Sequence, residues 1–351
     1  MTRRLAEVAN YVGVSEATVS RVLNGKPGIS EATRTAVLTA LDVLGYERPT
    51  KLRGERARLV GLVLPELQNP IFPAFAEVVA GTLARRGFTP VLCTRTAAGV
   101  SESDYVDMLL DQQVSGVIFA GGNYAQAAAE HEHYFRLRER GLPVVLVNAA
   151  IDDLGFACVA TDDAHAVDRA YNHLVSLGHT GIGLVLGPGD HVPSNRKQSA
   201  FEAHVSDSVG LVERTIFSME GGQSAATRLI KHGVTGIICA SDVLALGAMK
   251  AVRRLGLYVP ADVSVVGFDD SAFMNCTDPP LTTVRQPIDA MGQAAVALLA
   301  NQVAGHMVPT DEMLFEPELV VRGSTGPVRT RDPGERRSGR SRKRAPARAR
   351  A

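Results

Sequence analysis

The sequence predicts an all-α amino-terminal headpiece followed by an α/β body of two Rossmann-like lobes on parallel sheets. Three observations carry this. Residues 5–44 hold three helical patterns and no strand-like run, whereas from Leu59 onward short apolar runs alternate with helix-compatible stretches. Those apolar runs are continuous rather than alternating, which marks strands covered on both faces. The 351 residues also exceed one domain of ~100–200 residues.

In the headpiece, a first helix over 5–12 places Leu5, Val8, Ala9 and Val12 on one face, and Gly13 makes the turn. Ser15 is set to cap a second helix over 16–23, which Asn24-Gly25 ends. Ser30 is set to cap a third over 31–44, with Val37, Ala40, Leu41 and Leu44 as its inner stripe and Gly45 as its stop. Two short helices joined by a tight turn, with a third behind them, match a helix-turn-helix DNA-binding module. A small helical bundle of other purpose has the same spacing.

In the body, the apolar runs are 59–65, 89–94, 116–122, 143–148, 156–161, 181–187, 235–241 and 263–270. Between the first two, Phe75, Val78, Val79, Leu83 and Ala84 recur at helical spacing and Gly87 supplies the stop. Eight runs exceed one doubly wound sheet, so two lobes with a cleft between them are expected. Ligands of such sheets lie beyond the carboxyl ends of the strands.

Composition narrows the function further. With 45% hydrophobic and 21% charged residues the chain is globular in type. No apolar run approaches the ~18 residues of a membrane span, and the first residues do not read as a signal peptide, so the cytoplasm is the expected compartment. Cys93, Cys158, Cys239 and Cys276 stand apart in or beside apolar runs, as buried free thiols do. Neither a disulfide framework nor a metal site is indicated. The glycine patterns at 181–183 and 187–189 lack the rest of a dinucleotide fingerprint, so no cofactor and no enzymatic activity are expected. His165, His173 and His179 read as surface or helix-end residues, and Asp242 and Asp270 as helix caps.

The net charge of zero conceals a separation. Residues 1–58 carry ten Lys/Arg against six Asp/Glu and residues 327–351 carry ten against two, which leaves the middle acidic. Basic extremities on an acidic body suit a polyanion met at the ends.

The segment LAEVANYVGVSEATVSRVLNGKPGISEATRTAVLTALDVLGY (5–46) closely resembles the DNA-binding headpiece of the LacI/GalR (lac repressor) family. NPIF (69–72), ASDVLALGAMKAVRRLGLYVPADVSVVGFDD (240–270) and PLTTVRQPIDAMGQAAVALL (280–299) are similar to signatures of its body. The resemblance implies a homodimeric transcriptional repressor with a two-lobed, periplasmic-binding-protein-like effector and dimerisation domain. Its partners would be a palindromic double-stranded operator and a small-molecule effector, a sugar or sugar derivative foremost. The implied organisation is a headpiece over 1–46, a hinge over 47–58, the effector domain over 59–326 and a basic disordered tail over 327–351.

As recognition helix, 16–23 presents Glu16, Ala17 and Arg21 toward base edges, with Arg21 able to grip guanine in a bidentate way. Ser15, Thr18, Ser20, Asn24 and Ser30 are short donors suited to phosphates, or to capping alone. The hinge departs from the family pattern. Leu52 is the best match for a leucine that wedges into the minor groove, but it follows Tyr46 too closely, and Gly54 costs any helix here ~1 kcal/mol relative to alanine. Lys51, Arg53, Arg56 and Arg58 would compensate through phosphate attraction, unless the segment is a flexible basic linker. Effector positions implied by the resemblance are Asn69, Ile71, Phe72, Asn148, Arg196, Ser241 and Asp269. No tryptophan is present to stack on a sugar, so a purine, a nucleoside or another polar metabolite stays open. The Arg-rich tail cannot bury a core and either strengthens nonspecific DNA binding or is a solvated extension.

Overall fold

The computed structural model describes residues 2–23, 26, 28–44, 58–95, 99–150, 154–205 and 211–328. The headpiece consists of α1 (Thr2–Val12), α2 (Glu16–Leu23) and α3 (Glu31–Val43). Their buried residues Val8, Ala9, Val19, Val22, Val37, Ala40 and Leu41 form one small core. Gly13 takes a φ of +74° at the turn between α1 and α2, a conformation that a side chain would strain.

The chain divides into two compact units: the first takes in Met1–Ala160, headpiece included, and Pro287–Phe315, the second Thr161–Gln286 and Glu316–Ala351. In chain order the first unit contains β1 (Arg58–Leu64), α4 (Ile71–Arg85), β2 (Phe88–Thr94), α5 (Glu102–Asp111), β3 (Gly116–Phe119), α6 (Glu132–Glu139), β4 (Val144–Val147) and β5 (Ala157–Thr161). The second unit follows with α7 (Asp163–Ser176), β6 (Ile182–Leu186), α8 (Val192–His204), β7 (Val212–Arg214), α9 (Met219–Lys231), β8 (Gly236–Cys239), α10 (Asp242–Arg254), β9 (Ser264–Asp269) and β10 (Thr282–Arg285). The chain then returns to the first unit through α11 (Ile288–Val303) and β11 (Glu312–Phe315), and ends in the second with β12 (Glu318–Val320).

Each unit is built on one six-stranded sheet, ordered β11-β5-β4-β3-β1-β2 in the first and β12-β10-β9-β8-β6-β7 in the second. The eight apolar runs all form strands, and their pairings with one another are parallel. The second sheet is not wholly parallel, however, because β12 runs antiparallel to β10. Four strands lie outside the apolar runs: β7, β10, β11 and β12. Each is three or four residues long with polar or exposed positions, so none has the continuous apolar texture of a doubly covered strand. The first core gathers Val60, Leu62, Leu64, Phe75 and Ile118 with Met291 and Leu299 of the returning helix; the second gathers Leu184, Leu186, Phe201, Ile238, Val252 and Val266.

Three sequence expectations are corrected. Cys93, Cys158 and Cys239 are buried, but Cys276 is exposed, since it lies in the polar turn after β9. His179 stands just past the end of α7 but not at the surface: it is 2% exposed, because Thr235, Ser264 and the carbonyl of Gly326 surround both ring nitrogens. Asp242 and Asp270 cap no helix. The cap of α10 is Ser241, while Asp242 is wholly buried under the 269–271 turn and Asp270 binds Arg285 and Arg322.

No described helix is long and apolar enough to cross a membrane.

Candidate functional site

The first site is the outer face of α2. Val19 and Val22 are buried in the headpiece, and the helical period then turns Glu16, Ala17 and Arg21 to solvent. Arg21 is the single Lys/Arg of this helix, one turn along from Ala17. Ser15 Oγ accepts the Thr18 N–H at 3.1 Å and lies 2.9 Å from the Thr18 hydroxyl. Ser30 repeats the arrangement with Thr33, at 3.1 and 2.8 Å. These serines therefore fix the starts of α2 and α3, which orients the exposed face. Ser20 is half-buried. Asn24, Lys51, Leu52 and Arg53 lie outside the described residues.

The second set of residues lies at the carboxyl ends of the parallel strands, taken unit by unit. In the first unit, Asn69 is buried after β1 and its Oδ1 is 3.5 Å from the Ile71 N–H, at the start of α4. Ile71 is buried, and Phe72 is half-buried against the core. Asn148 follows β4 with a φ of +69°, and its N–H donates to the Val159 carbonyl at 2.8 Å. The same edge carries polar residues that the sequence did not single out. Arg95 after β2 donates to Asn123 Oδ1 at 2.9 Å, and burial raises the Glu66 carboxyl pKa against the pull of Arg95.

In the second unit, Asp269 ends β9, is 5% exposed and holds a φ of +119°. Its Oδ1 accepts from Gln286 Nε2 at 2.7 Å. Arg196 is half-buried near the start of α8. Ser241 is buried and its Oγ accepts the Leu244 N–H at 3.2 Å, so the hydroxyl serves the helix start directly.

Residues absent from the sequence expectation complete this edge. Phe217 lies against the end of β6 so closely that a Cβ on Gly187 would fall 2.2 Å from its ring, which is why glycine stands there. His191 meets the Phe217 ring edge-on at 5.1 Å, and its Nδ1 is 2.9 Å from Ser194 Oγ. Burial first, and then the nearby Lys197 cation, push the His191 pKa down to about 4, so the ring is neutral at pH 7. Lys197 is buried, ion-paired with Asp163, and stands 4.0 Å from the centroid of Phe268. The signal that would have found these residues is a polar or aromatic residue just past a strand end. Phe217 follows a three-residue strand, and Lys197 sits a full turn inside a helix, so neither gave it.

The second unit thus carries near its strand ends an aromatic ring, a neutral imidazole, a buried carboxylate held by an amide and a half-buried arginine, which are donors, acceptors and an apolar plane. That set suits a small hydroxylated ligand.

Comparison with known proteins gives two family matches: "Bacterial regulatory proteins, lacI family" over residues 4–49 and "Periplasmic binding protein-like domain" over residues 171–325. The HTH-type transcriptional regulator reg1 of Streptomyces lividans is 53% identical over 346 residues, covering 96% of this chain and 99% of the relative. Among solved structures, a lac repressor dimer bound to operator and the anti-inducer ONPF is similar with a TM-score of 0.73 at 27% identity, covering 91% of this chain and 98% of that one. A complex of the transcriptional regulator CelR with cellobiose is similar with a TM-score of 0.69 at 30% identity, covering 91% and 99%.

Proposed function

Because this chain belongs to the lacI family of bacterial regulatory proteins, a family of DNA-binding transcriptional regulators, we propose that it is a dimeric repressor of palindromic operator DNA whose affinity is set by a small carbohydrate. The observation that carries the DNA half is the outward face of α2, where Glu16, Ala17 and Arg21 stand opposite the buried Val19 and Val22. A recognition helix of this kind reads one half-site, and two copies related by a two-fold axis read a palindrome. Asn24 and Leu52 join this interface through their match to the family motif, and Lys51 and Arg53 through the attraction of their charges to phosphate.

For the effector, candidate contacts in the first unit are Asn69, Ile71, Phe72 and Asn148; in the second they are Arg196, Ser241 and Asp269, with Phe217 and His191 added. The charged side chains suit hydroxyl groups, and Phe217 supplies the flat apolar face that the absence of tryptophan had left open. The bound cellobiose of the CelR neighbour is in keeping with this ligand class.

The test has two steps. A duplex pool is first selected on the full chain, and affinity is then measured for the enriched site and for a scrambled control. The operator complex is next titrated with cellobiose, maltose and ribose, and in parallel with adenosine and cytidine. A two-fold symmetric selected site and a shift in its affinity by one of these sugars are expected. Equal affinity for selected and scrambled DNA overturns the repressor reading, and a response to nucleosides but to no sugar overturns the carbohydrate reading.

A further inference from the structure

The turn that carries Asp269 is fastened from outside at three consecutive residues. Asp269 Oδ1 accepts from Gln286 Nε2 at 2.7 Å. Asp270 accepts from Arg285 Nε at 2.7 Å and from Arg322 Nη2 at 2.6 Å. The Ser271 N–H donates to Asp242 Oδ2 at 2.7 Å, and Asp242 Oδ1 accepts the Thr283 hydroxyl at 2.6 Å. The backbone needs this support. Asp269 and Asp270 stand at φ +119° and +56°, and such positions cost of order 1–3 kcal/mol each in a residue with a side chain.

The fastenings lead to the places where the chain passes from one unit to the other. It enters the second unit at Thr161, leaves it after Gln286 and re-enters it at Glu316. The Thr161 hydroxyl donates to Gln286 Oε1 at 2.8 Å, so one amide joins the first two crossings to Asp269. Arg285, next to Gln286, also donates to Glu318 at 2.8 Å, two residues past the third crossing. Thr161, Asp269 and Gln286 are 2, 5 and 6% exposed, so water does not substitute for these bonds.

The chemistry of the bridge is directional. The Asp269 carboxylate only accepts, so the amide NH₂ of Gln286 must face it, and the amide oxygen is left for the Thr161 hydroxyl. An apolar residue of similar volume would fill the space but would leave Asp269 and Thr161 without this link.

We propose that Gln286 is a positioning residue that reports the state of Asp269 to the chain crossings, with Thr161 as its second contact. Within the reading of Asp269 as an effector contact, on which this rests, a ligand hydroxyl that draws on the carboxylate alters the Asp269–Gln286 bond, and with it the Gln286–Thr161 bond. Coupling of this kind requires only that the ligand favour one arrangement of the bridge.

The experiment uses the full chain with Thr161→Val, Thr161→Ser and Gln286→Leu, in two arms. In the first, without ligand, amide hydrogen exchange is followed in peptides spanning 264–274. Thr161→Val is expected to raise exchange in this turn by at least about threefold, through the Gln286 amide that bonds both Thr161 and Asp269; Thr161→Ser is expected to restore the wild-type rate. In the second arm, cellobiose, maltose and ribose are titrated into free protein and into the selected operator complex. Thr161→Val is expected to bind the active sugar within about twofold of wild type while the sugar's effect on operator affinity, typically ~5- to 150-fold in such couplings, falls by at least about threefold. Gln286→Leu should weaken both.

Unchanged exchange in the 264–274 turn for both Thr161→Val and Gln286→Leu overturns the proposal, as does an undiminished sugar response in Thr161→Val. If wild type responds to none of the sugars, the carbohydrate reading falls, and the exchange arm still decides the role of Gln286.

Discussion

Lys197 and Asp163 form an ion pair withdrawn from solvent on both sides, with the ammonium group 4.0 Å from the centroid of the Phe268 ring. Two buried charges attract strongly but lose hydration, so the pair contributes little against an apolar pair, whereas losing one partner strands the other. Lys197→Met should therefore lower unfolding free energy by about 3–5 kcal/mol. The double replacement Lys197→Met with Asp163→Leu should recover most of that loss. Urea denaturation of the three variants measures it, and equal destabilisation by the single and the double replacement would contradict the argument.

Arg21 is the only cation that α2 offers for reading bases. A bidentate contact to guanine is worth ~1–3 kcal/mol of discrimination, so Arg21→Ala should weaken the selected site by that amount and relax preference at one base position per half-site. Affinities for single-base variants of the site decide the matter; a uniform loss across all variants would instead make Arg21 a phosphate contact.

Acid should destabilise the second unit through its histidines. Burial lowers the pKa of His173, His179 and His191, the last to about 4 from an ordinary value near 6.5. The folded state keeps these rings neutral, while the unfolded chain takes up protons as pH falls below ~6.5. Stability is therefore fully present above that pH and is lost progressively toward pH 4, by on the order of 3 kcal/mol from His191 alone. Asp242 acts in the opposite sense, since burial raises its pKa to about 6 and protonation there relieves a buried charge. In His191→Gln the loss of stability between pH 7 and 5 should be smaller than in wild type, as read from urea midpoints at each pH. The same slope in both proteins would show that His191 protonates freely in the folded state.

The amino-terminal DNA module was legible because its determinants are local. Ser15 and Ser30 sit three residues from the amides they cap, and the helix over 16–23 has the bounds expected of it. The body's strands were legible wherever burial on both faces made the run continuous. What stayed hidden depends on partners far away in the chain. Lys197 finds Asp163 at a separation of 34 residues, and Gln286 finds Thr161 at 125, and nothing near either residue announces the other. Phe217 lies 30 residues from Gly187, whose missing side chain makes room for its ring. The burial of His179, which read as a surface or helix-end residue, was hidden because its environment is assembled from Thr235, Ser264 and Gly326, all remote in sequence.

The carboxyl-terminal region should divide sharply at Val328. Ser324 Oγ accepts the Thr282 N–H at 2.7 Å and donates to the Val265 carbonyl at 2.6 Å, and the Val328 N–H donates to the Leu177 carbonyl at 3.0 Å. Residues 329–351 carry all ten Lys/Arg and both Asp/Glu of the tail. Ending the chain at 328 should leave the melting temperature unchanged, weaken binding to nonspecific DNA and flatten its salt dependence. Ending it at 322 removes the Ser324 and Gly326 contacts and should lower the melting temperature by several degrees or more. A large thermal loss in the longer truncation product would mean that the basic segment is docked on the fold.

The reading of Asp269 as an effector contact can be tested without disturbing the turn that holds it. At φ +119° alanine would be strained, whereas asparagine tolerates positive φ better than most residues and keeps the shape of aspartate. Asp269→Asn removes the charge but preserves an oxygen that can accept from Gln286. Hydrogen bonds to a charged group contribute ~1.5–3 kcal/mol, so affinity for the active sugar should fall roughly 10- to 150-fold. Operator affinity in the absence of sugar should stay within about twofold of wild type, because the headpiece has its own core of Val8, Val19, Val22, Val37 and Leu41. Phe217→Ala should weaken the same sugar by a smaller factor, since it removes an apolar plane and no charge. If calorimetry finds the sugar bound equally well by Asp269→Asn and by wild type, the carboxylate does not touch the ligand, and the effector contacts must be sought among the first-unit residues Asn69, Phe72 and Asn148 instead.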